Sequence, residues 1–146
     1  MKVLIILAIL MSTVSAPSQG RKPAKIELQV LKAEDIPEGG GCMFYLAPPD
    51  GDGTEAETVL FDPAGSSEFV TIRLNGQPIK LAVDTKHKWG KTRGSYRGAW
   101  KNGEVMVELI SESVSESEVG EFHEGTLLIV KGKYRRKFKI RGYCGC

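Results

Sequence analysis

Short stretches of this chain alternate apolar with polar residues at a period of two, which is typical of strands with one buried face. In residues 25–32 the apolar side chains share one face, and these are Ile26, Leu28 and Val30. Residues 42–47 and 58–61 are further apolar runs of strand length, bounded by Pro and Gly residues that interrupt regular structure. The pattern predicts three strands before residue 62.

The dipeptide Asn75-Gly76 predicts a tight β-hairpin, because a two-residue type I′ turn needs positive φ at both central positions. This turn sets apolar residues opposite each other on one face, pairing Ile72 with Ile79 and Val70 with Leu81. The turn chemistry and the side-chain pattern agree, so we expect this hairpin in the fold.

Asn102-Gly103 predicts a second hairpin by the same argument. Its expected inner pairs are Trp100 with Val105, Gly98 with Val107 and Tyr96 with Leu109. Its expected outer pairs are Lys101 with Glu104 and Arg97 with Glu108, and opposite charges across two strands stabilise a pair by ~0.2–1 kcal/mol.

A third hairpin is expected around Gly132, from residues 126–130 to residues 134–140, although Arg136 falls among its inward positions. Residues 112–124 are rich in Ser and Glu and are expected to form a flexible acidic connection. No segment has the apolar period of an amphipathic helix. We therefore expect residues 25–146 to form a single all-β domain, a small antiparallel barrel or sandwich of seven to nine short strands.

The N-terminus has the three-part layout of a secretory signal peptide at residues 1–16. Lys2 precedes an apolar run over residues 3–11, which is shorter than the ~20 residues that span a bilayer. Cleavage after Ala16, after Ser15 or near Gly20 all fit the small residues there. Residues 17–24 then form a polar leader, and we expect a secreted or periplasmic protein with no transmembrane segment in its mature part.

Three cysteines follow this signal, and thiols in an exported protein tend to form disulfides. A bond from Cys42 to Cys144 or to Cys146 closes a loop of about 100 residues, which stabilises the fold by ~4–5 kcal/mol in the chain-entropy model. We favour Cys144, because Cys146 is at the chain terminus, where order is lowest.

The net charge of +2 favours no class of partner, but the charges are distributed unevenly. Residues 131–141 contain seven basic residues and no acid, and residues 86–94 form a basic loop around one Trp. Trp and Arg are favoured interface anchors. The candidate binding surface is Trp89, Lys91, Arg93, Arg135, Lys137 and Lys139.

The expected partner of this surface is an acidic protein or an envelope component. Nucleic acid is disfavoured, because few aromatic residues interleave with the charges. The alternative interpretation is that the basic residues protect an edge strand against aggregation.

Signals for catalysis are poor, because neither His87 nor His123 lies in a known catalytic signature. We expect His123 to be an ordinary loop or strand-edge residue. A metal or redox site that uses Cys144 and Cys146 is the alternative function, since thiolates suit copper and zinc. The leading hypothesis is a non-enzymatic exported binding protein without a cofactor.

Two groups of residues carry a resemblance, namely residues 41–46 (Gly-Cys-Met-Phe-Tyr-Leu) and the terminal Gly-Tyr-Cys-Gly-Cys. With the Asn75-Gly76 hairpin, they make the chain similar to a group of small exported bacterial proteins to which no activity is assigned. That group has Gly-Cys-Gly-Cys at the first motif, whereas this chain has Gly40 in place of the first cysteine. The hairpin layout and residues 93–96 also resemble periplasmic inhibitors of C-type lysozyme, which implies a disulfide-containing β-barrel.

Overall fold

The computed structural model describes residues 25–63, 68–86 and 94–145, which form nine strands and two single-turn 3-10 helices. The strands are β1 (Leu28–Gln29), β2 (Gly41–Leu46), β3 (Thr58–Pro63), β4 (Phe69–Leu74), β5 (Gln77–Val83), β6 (Ser95–Asn102), β7 (Val105–Ser117), β8 (Gly120–Lys131) and β9 (Tyr134–Gly145). The 3-10 turns are Ala33–Asp35 and Glu55–Glu57. The expected signal peptide and leader lie outside the described residues, within which no helix is long and apolar enough to cross a membrane.

The strands form one antiparallel sheet in the order β1-β4-β3-β2-β9-β8-β7-β6-β5, and β5 also pairs with β4. This pairing closes β2 to β9 into an eight-stranded barrel, and β1 is an extra strand on β4. The predicted all-β class is confirmed, and the architecture is the barrel. We call the end at which β2 begins and β9 ends the upper end, and the end with the turns after β4, β6 and β8 the lower end.

The first predicted hairpin is confirmed, with Ile72 opposite Ile79 and Val70 opposite Leu81. Asn75 and Gly76 form its turn with φ of 51° and 83°. Positive φ at both central positions is what a type I′ turn needs. The dipeptide therefore sets both the turn and the register.

The predicted register of the second hairpin is wrong, because its two-residue turn lies one position later in the sequence than expected. Gly103 and Glu104 form the loop, so the pairs are Asn102 with Val105, Trp100 with Val107, Gly98 with Leu109 and Tyr96 with Ser111. Only Gly103 has positive φ here, at 56°, which fits a turn with Gly in the first central position. Moving the turn by one residue moves the pairing by two, so the inward residues stay inward, but the expected charge pairs are lost.

The third hairpin is confirmed around Gly132 and Lys133, with Lys131 opposite Tyr134. The expected flexible connection at residues 112–124 is wrong, because β7 continues to Ser117 and β8 begins at Gly120. These two strands and β9 are 12 or 13 residues long, so they are not the short strands that we expected.

The N-terminal segment forms a much shorter strand than the alternation predicts. Ile26 and Leu28 are buried as expected, but Val30 is 40% exposed and Leu31 is buried in its place. The N–H of Leu31 donates to the carbonyl of Thr58 at 2.7 Å, which takes the chain away from β4 after Gln29. The alternation of buried and exposed side chains therefore ends where the pairing of β1 with β4 ends.

The barrel interior is a single apolar core in which two rings occupy space left by glycines. A Cβ on Gly98 would lie 2.0 Å from the ring of Trp100, and one on Gly142 would lie 2.3 Å from the ring of Phe44. Both rings are fully buried. Any side chain at these two positions would displace an aromatic ring, which typically costs about 1–3 kcal/mol in a packed core.

An ion pair on the outside of the barrel holds the N-terminal segment to β4. Arg73 donates from Nε and Nη2 to the two carboxylate oxygens of Asp35 at 2.8 Å, and from Nη1 to the carbonyl of Gly76 at 2.9 Å. The two side chains are only 11% and 4% exposed. Burial acts to raise the pKa of Asp35, but the N–H of Lys32 and the guanidinium of Arg73 outweigh it and hold the pKa below its usual value of 3.8.

We predict that Asp35→Asn lowers the free energy of unfolding at pH 7 by about 3 kcal/mol, because it leaves a buried guanidinium without its counter-charge. The control is Glu34→Gln, which breaks an exposed pair with Lys32 and should change stability by less than about 1 kcal/mol. Urea denaturation measures both. Because the folded-state pKa of Asp35 is lowered, its contribution is present above about pH 4 and is lost as the pH falls below that value. Equal losses in the two variants would contradict the prediction.

Candidate functional site

Polar side chains form a cluster inside the upper end of the barrel. His123 is 1% exposed and lies between Ser111, whose Oγ is 3.4 Å from its Nδ1, and Glu121, whose Oε2 is 3.3 Å from its Nε2. The rings of Phe44 and Tyr96 each lie 6.5 Å from the imidazole in edge-on geometry. The expectation that His123 is a loop or strand-edge residue is therefore wrong. Its side chain points into the barrel from β8, which has a neighbouring strand on each side.

The phenol of Tyr96 donates a hydrogen bond to the carboxylate of Asp62 in the same cluster. Burial raises the pKa of Tyr96 far above its usual value of 10.0, and the negative charge and hydrogen bond of Asp62 raise it further. Asp62 is also buried, at the end of β3. This pair continues the polar layer from β8 across the barrel to β3.

The contacts of Ser111, His123 and Glu121 have the composition of a nucleophile, a base and an orienting acid. Ser111 is 0% exposed, however, so its hydroxyl cannot reach a substrate in this conformation. The cluster is best understood as a polar layer that satisfies buried donors and acceptors above the apolar core. The sequence indicated this inward position, since His123 is an even number of residues from the buried Leu127 and Ile129 in the same strand.

The predicted disulfide is confirmed between Cys42 and Cys144, with Cα atoms 4.0 Å apart and a sequence separation of 102. The two cysteines face each other directly in the β2–β9 ladder. This bond occupies the Cys144 sulfur that the metal alternative requires, and Cys146 lies outside the described residues. Among the residues that the structure describes, no three His, Cys, Asp or Glu side chains are grouped as metal ligands.

Arg135, Lys137 and Lys139 lie on the outer face of β9 as an exposed line of cations, which we call the basic row. Their partners on β8 are uncharged, namely Val130, Leu128 and Thr126. Within the described part of the chain, none of the three makes an ion pair. The nearby cations differ, because Arg141 bonds to Glu124 at 3.0 Å and Arg136 lies 3.8 Å from Asp50.

A shallow depression of about 480 Å³ lies at the upper end of the basic row. It is lined by Lys139 and Arg141 of β9, by Glu124 and Thr126 of β8, and by Ala47 and Pro48. The outer face of β9 therefore carries a depression directly beside the positively charged basic row.

The remaining predicted surface residues, Trp89, Lys91 and Arg93, lie outside the described residues. Their flanks are Lys86 and Gly94, at the upper end between β5 and β6. Around the eight-stranded barrel β5 is four strands from β9, so these flanks lie across the barrel from the basic row. Of the six candidate residues, the described part of the fold therefore places three, Arg135, Lys137 and Lys139, on the outer face of β9.

A third feature, which the sequence reasoning missed, is the tip of the β7–β8 hairpin. Val119 is 70% exposed and Val114 is 58% exposed. Beside them the rings of Phe122 and Tyr143 lie 5.0 Å apart, and the phenol of Tyr143 donates to the carbonyl of Val119 at 2.9 Å. We call this group the hairpin tip, and the glutamates in or next to its turn are Glu116, Glu118 and Glu121.

Comparisons of the chain with known protein families, with curated protein sequences and with solved structures find no match.

We predict that Tyr96→Phe lowers the free energy of unfolding by about 1.5–3 kcal/mol at pH 7, because it removes a buried hydrogen bond to a charged group. The control is Tyr143→Phe, which removes a bond at an exposed position and should cost less than about 1.5 kcal/mol. Because the folded-state pKa of Tyr96 is raised, its contribution is complete below about pH 10 and is lost as the pH rises further. Urea denaturation at pH 7 and above pH 10 tests this, and an unchanged alkaline stability difference would contradict it.

Proposed function

We propose that this protein is an exported, non-enzymatic binding protein and that the basic row contacts an acidic protein or envelope component. The observation that carries the proposal is the uncompensated charge of Arg135, Lys137 and Lys139 on a rigid strand. Exposed cations without counter-charges attract anionic partners at a range of about a Debye length. The shallow depression beside Lys139 adds a surface into which part of a ligand would fit.

Export and the absence of catalysis are part of the same proposal. The layout of residues 1–16 supports export, and the Cys42–Cys144 bond is of the kind that persists in oxidising compartments. The burial of Ser111 and His123 supports a structural role for the clustered side chains that resemble catalytic groups.

The test is binding to soluble poly-L-glutamate, measured by calorimetry at low and physiological salt. We predict that the triple variant Arg135→Gln, Lys137→Gln, Lys139→Gln binds at least about tenfold more weakly than the wild type, a loss of about 1.4 kcal/mol. The control variant Lys25→Gln, Lys80→Gln, Arg97→Gln loses the same charge from exposed positions elsewhere. Equal binding by the two variants would remove the basic row from the proposal.

A second candidate function is inhibition of a C-type lysozyme, which the disulfide-tied barrel and the hairpin tip favour. Exposed apolar side chains on a hairpin that also carries glutamates suit a partner with a basic surface and an apolar hollow. For this function we predict that the protein lowers muramidase activity, that Val119→Arg relieves the inhibition at least about tenfold, and that the triple basic-row variant still inhibits. Full muramidase activity in the presence of excess protein would exclude it.

A further inference from the structure

Among the strands that the structure describes, the lower half of β9 pairs with one neighbour only. The β2–β9 ladder ends at Leu46 opposite Ile140, whereas the β8–β9 ladder continues to Lys131 opposite Tyr134. After Leu46 the chain leaves the sheet and makes one more backbone contact, in which the N–H of Ala47 donates to the carbonyl of Lys139 at 2.9 Å. Below this point no described residue pairs with the β2 side of β9, so residues 134–138 form an open edge there.

The hydrogen bond from Ala47 to the carbonyl of Lys139 also shows which way the backbone groups along this edge point. In a strand, the N–H and C=O of every second residue point to the same side. The ladder with β8 runs without a bulge, so the backbone groups of Lys137 and Arg135 point to the same side as those of Lys139, away from β8. Among the described residues, neither Lys137 nor Arg135 has a backbone hydrogen-bond partner on that side.

The side chains along this edge are exposed, and two groups from other parts of the chain lie near its inner side. Arg135, Arg136 and Lys137 are all exposed. The guanidinium of Arg136 turns over the ring of Phe138 at 4.6 Å, and its Nη1 lies 3.4 Å from the carbonyl of Ile26. Its Nη2 lies 3.8 Å from Asp50, so the Arg136 side chain is held over Phe138 and away from the backbone groups of Lys137 and Arg135.

We infer that this open edge binds an extended acidic peptide segment as an added β-strand, an inference that rests on the proposed function and names its partner. Backbone pairing to Lys137 and Arg135 supplies the hydrogen bonds of such strand addition. In an antiparallel pair the residues opposite each other share a face, about 5 Å apart. A glutamate or aspartate opposite each cation of the basic row would therefore lie beside it on the outer face.

The spacing of the charges fits the same partner. Alternate residues of a strand are about 6.8 Å apart, so the basic row matches a peptide with an acid at every second position. Residues 17–24 of this chain are unsuited to the edge, because they carry Arg21 and Lys22 and two prolines that lack an N–H. The cations that would repel such a segment attract an acidic one, so the row selects its partner by charge.

The test uses a synthetic seven-residue peptide that alternates Glu and Thr. One version is N-methylated at its Glu amides, whose N–H groups would face β9, and a matched control is N-methylated at its Thr amides, which would face away. We expect the first methylation to weaken binding to the wild-type protein at least about tenfold and the second by less than about threefold. Fluorescence anisotropy measures both.

A pair of protein variants makes the complementary comparison. Lys137→Gln removes one charge, and Lys137→Pro removes the same charge and the edge N–H but no bond to β8. We expect Lys137→Pro to bind the unmethylated peptide at least about fivefold more weakly than Lys137→Gln.

The outcomes separate this inference from the proposed function. If all peptides bind equally and the two variants are alike, attraction by charge alone is sufficient, and strand addition is overturned while the basic row stands. Strand addition is also overturned if poly-L-glutamate binds but the peptide does not, or if sedimentation shows that a second copy of the chain occupies the edge. If neither poly-L-glutamate nor the peptide binds the wild type, both proposals fail.

Discussion

The pairing of β4 with β5 closes the sheet, and the rest of the molecule depends on this closure. Each of the eight barrel strands then sends alternate side chains into one enclosed space, whose width is set by the number of strands. The space is narrow enough that the rings of Trp100 and Phe44 fit only over Gly98 and Gly142. Closure also fixes which residues are exposed, so the outward charges on β9 become a rigid row because the inward residues Phe138 and Ile140 are held in the core.

The two Asn-Gly dipeptides explain how far the turns could be predicted. Asn75 occupies its turn, and its side chain accepts a hydrogen bond from the N–H of Glu27 at 2.9 Å. Asn102 instead donates from its side chain to the carbonyl of Lys80 at 2.9 Å, on the neighbouring hairpin. This contact keeps Asn102 in the strand and leaves the turn to Gly103. The dipeptide is the same in both cases, and the two asparagines differ in the tertiary contact that each one makes, which the sequence does not reveal.

The long strands β7 and β8 were missed because the interior of the barrel changes character along its axis. At the lower end the inward residues are apolar and alternate visibly with polar ones, as at Val107 and Leu109. At the upper end the inward positions hold Ser111 and His123, which are polar and buried. The apolar alternation therefore stops while the strands continue. A pattern of hydrophobic residues reports the apolar core, and it predicts strands only as far as that core extends.

The unequal lengths of β2 and β9 connect the disulfide, the open edge and the candidate surface. β2 has six residues and β9 has twelve, so β2 covers only the upper half of its neighbour. The Cys42–Cys144 bond joins the two strands where they overlap, and a bond closing so long a loop contributes about 4.7 kcal/mol in the chain-entropy model. No strand in the described residues covers that side of the lower half of β9. There the alternating cations disfavour pairing with neutral or basic strands, as lysines on other edge strands do. The sequence contained both the cations and the cysteines, but not the length of β2. That length decides whether the basic residues lie inside a continuous sheet or along an edge, and the same cations that protect the edge against most strands leave it open to an acidic one.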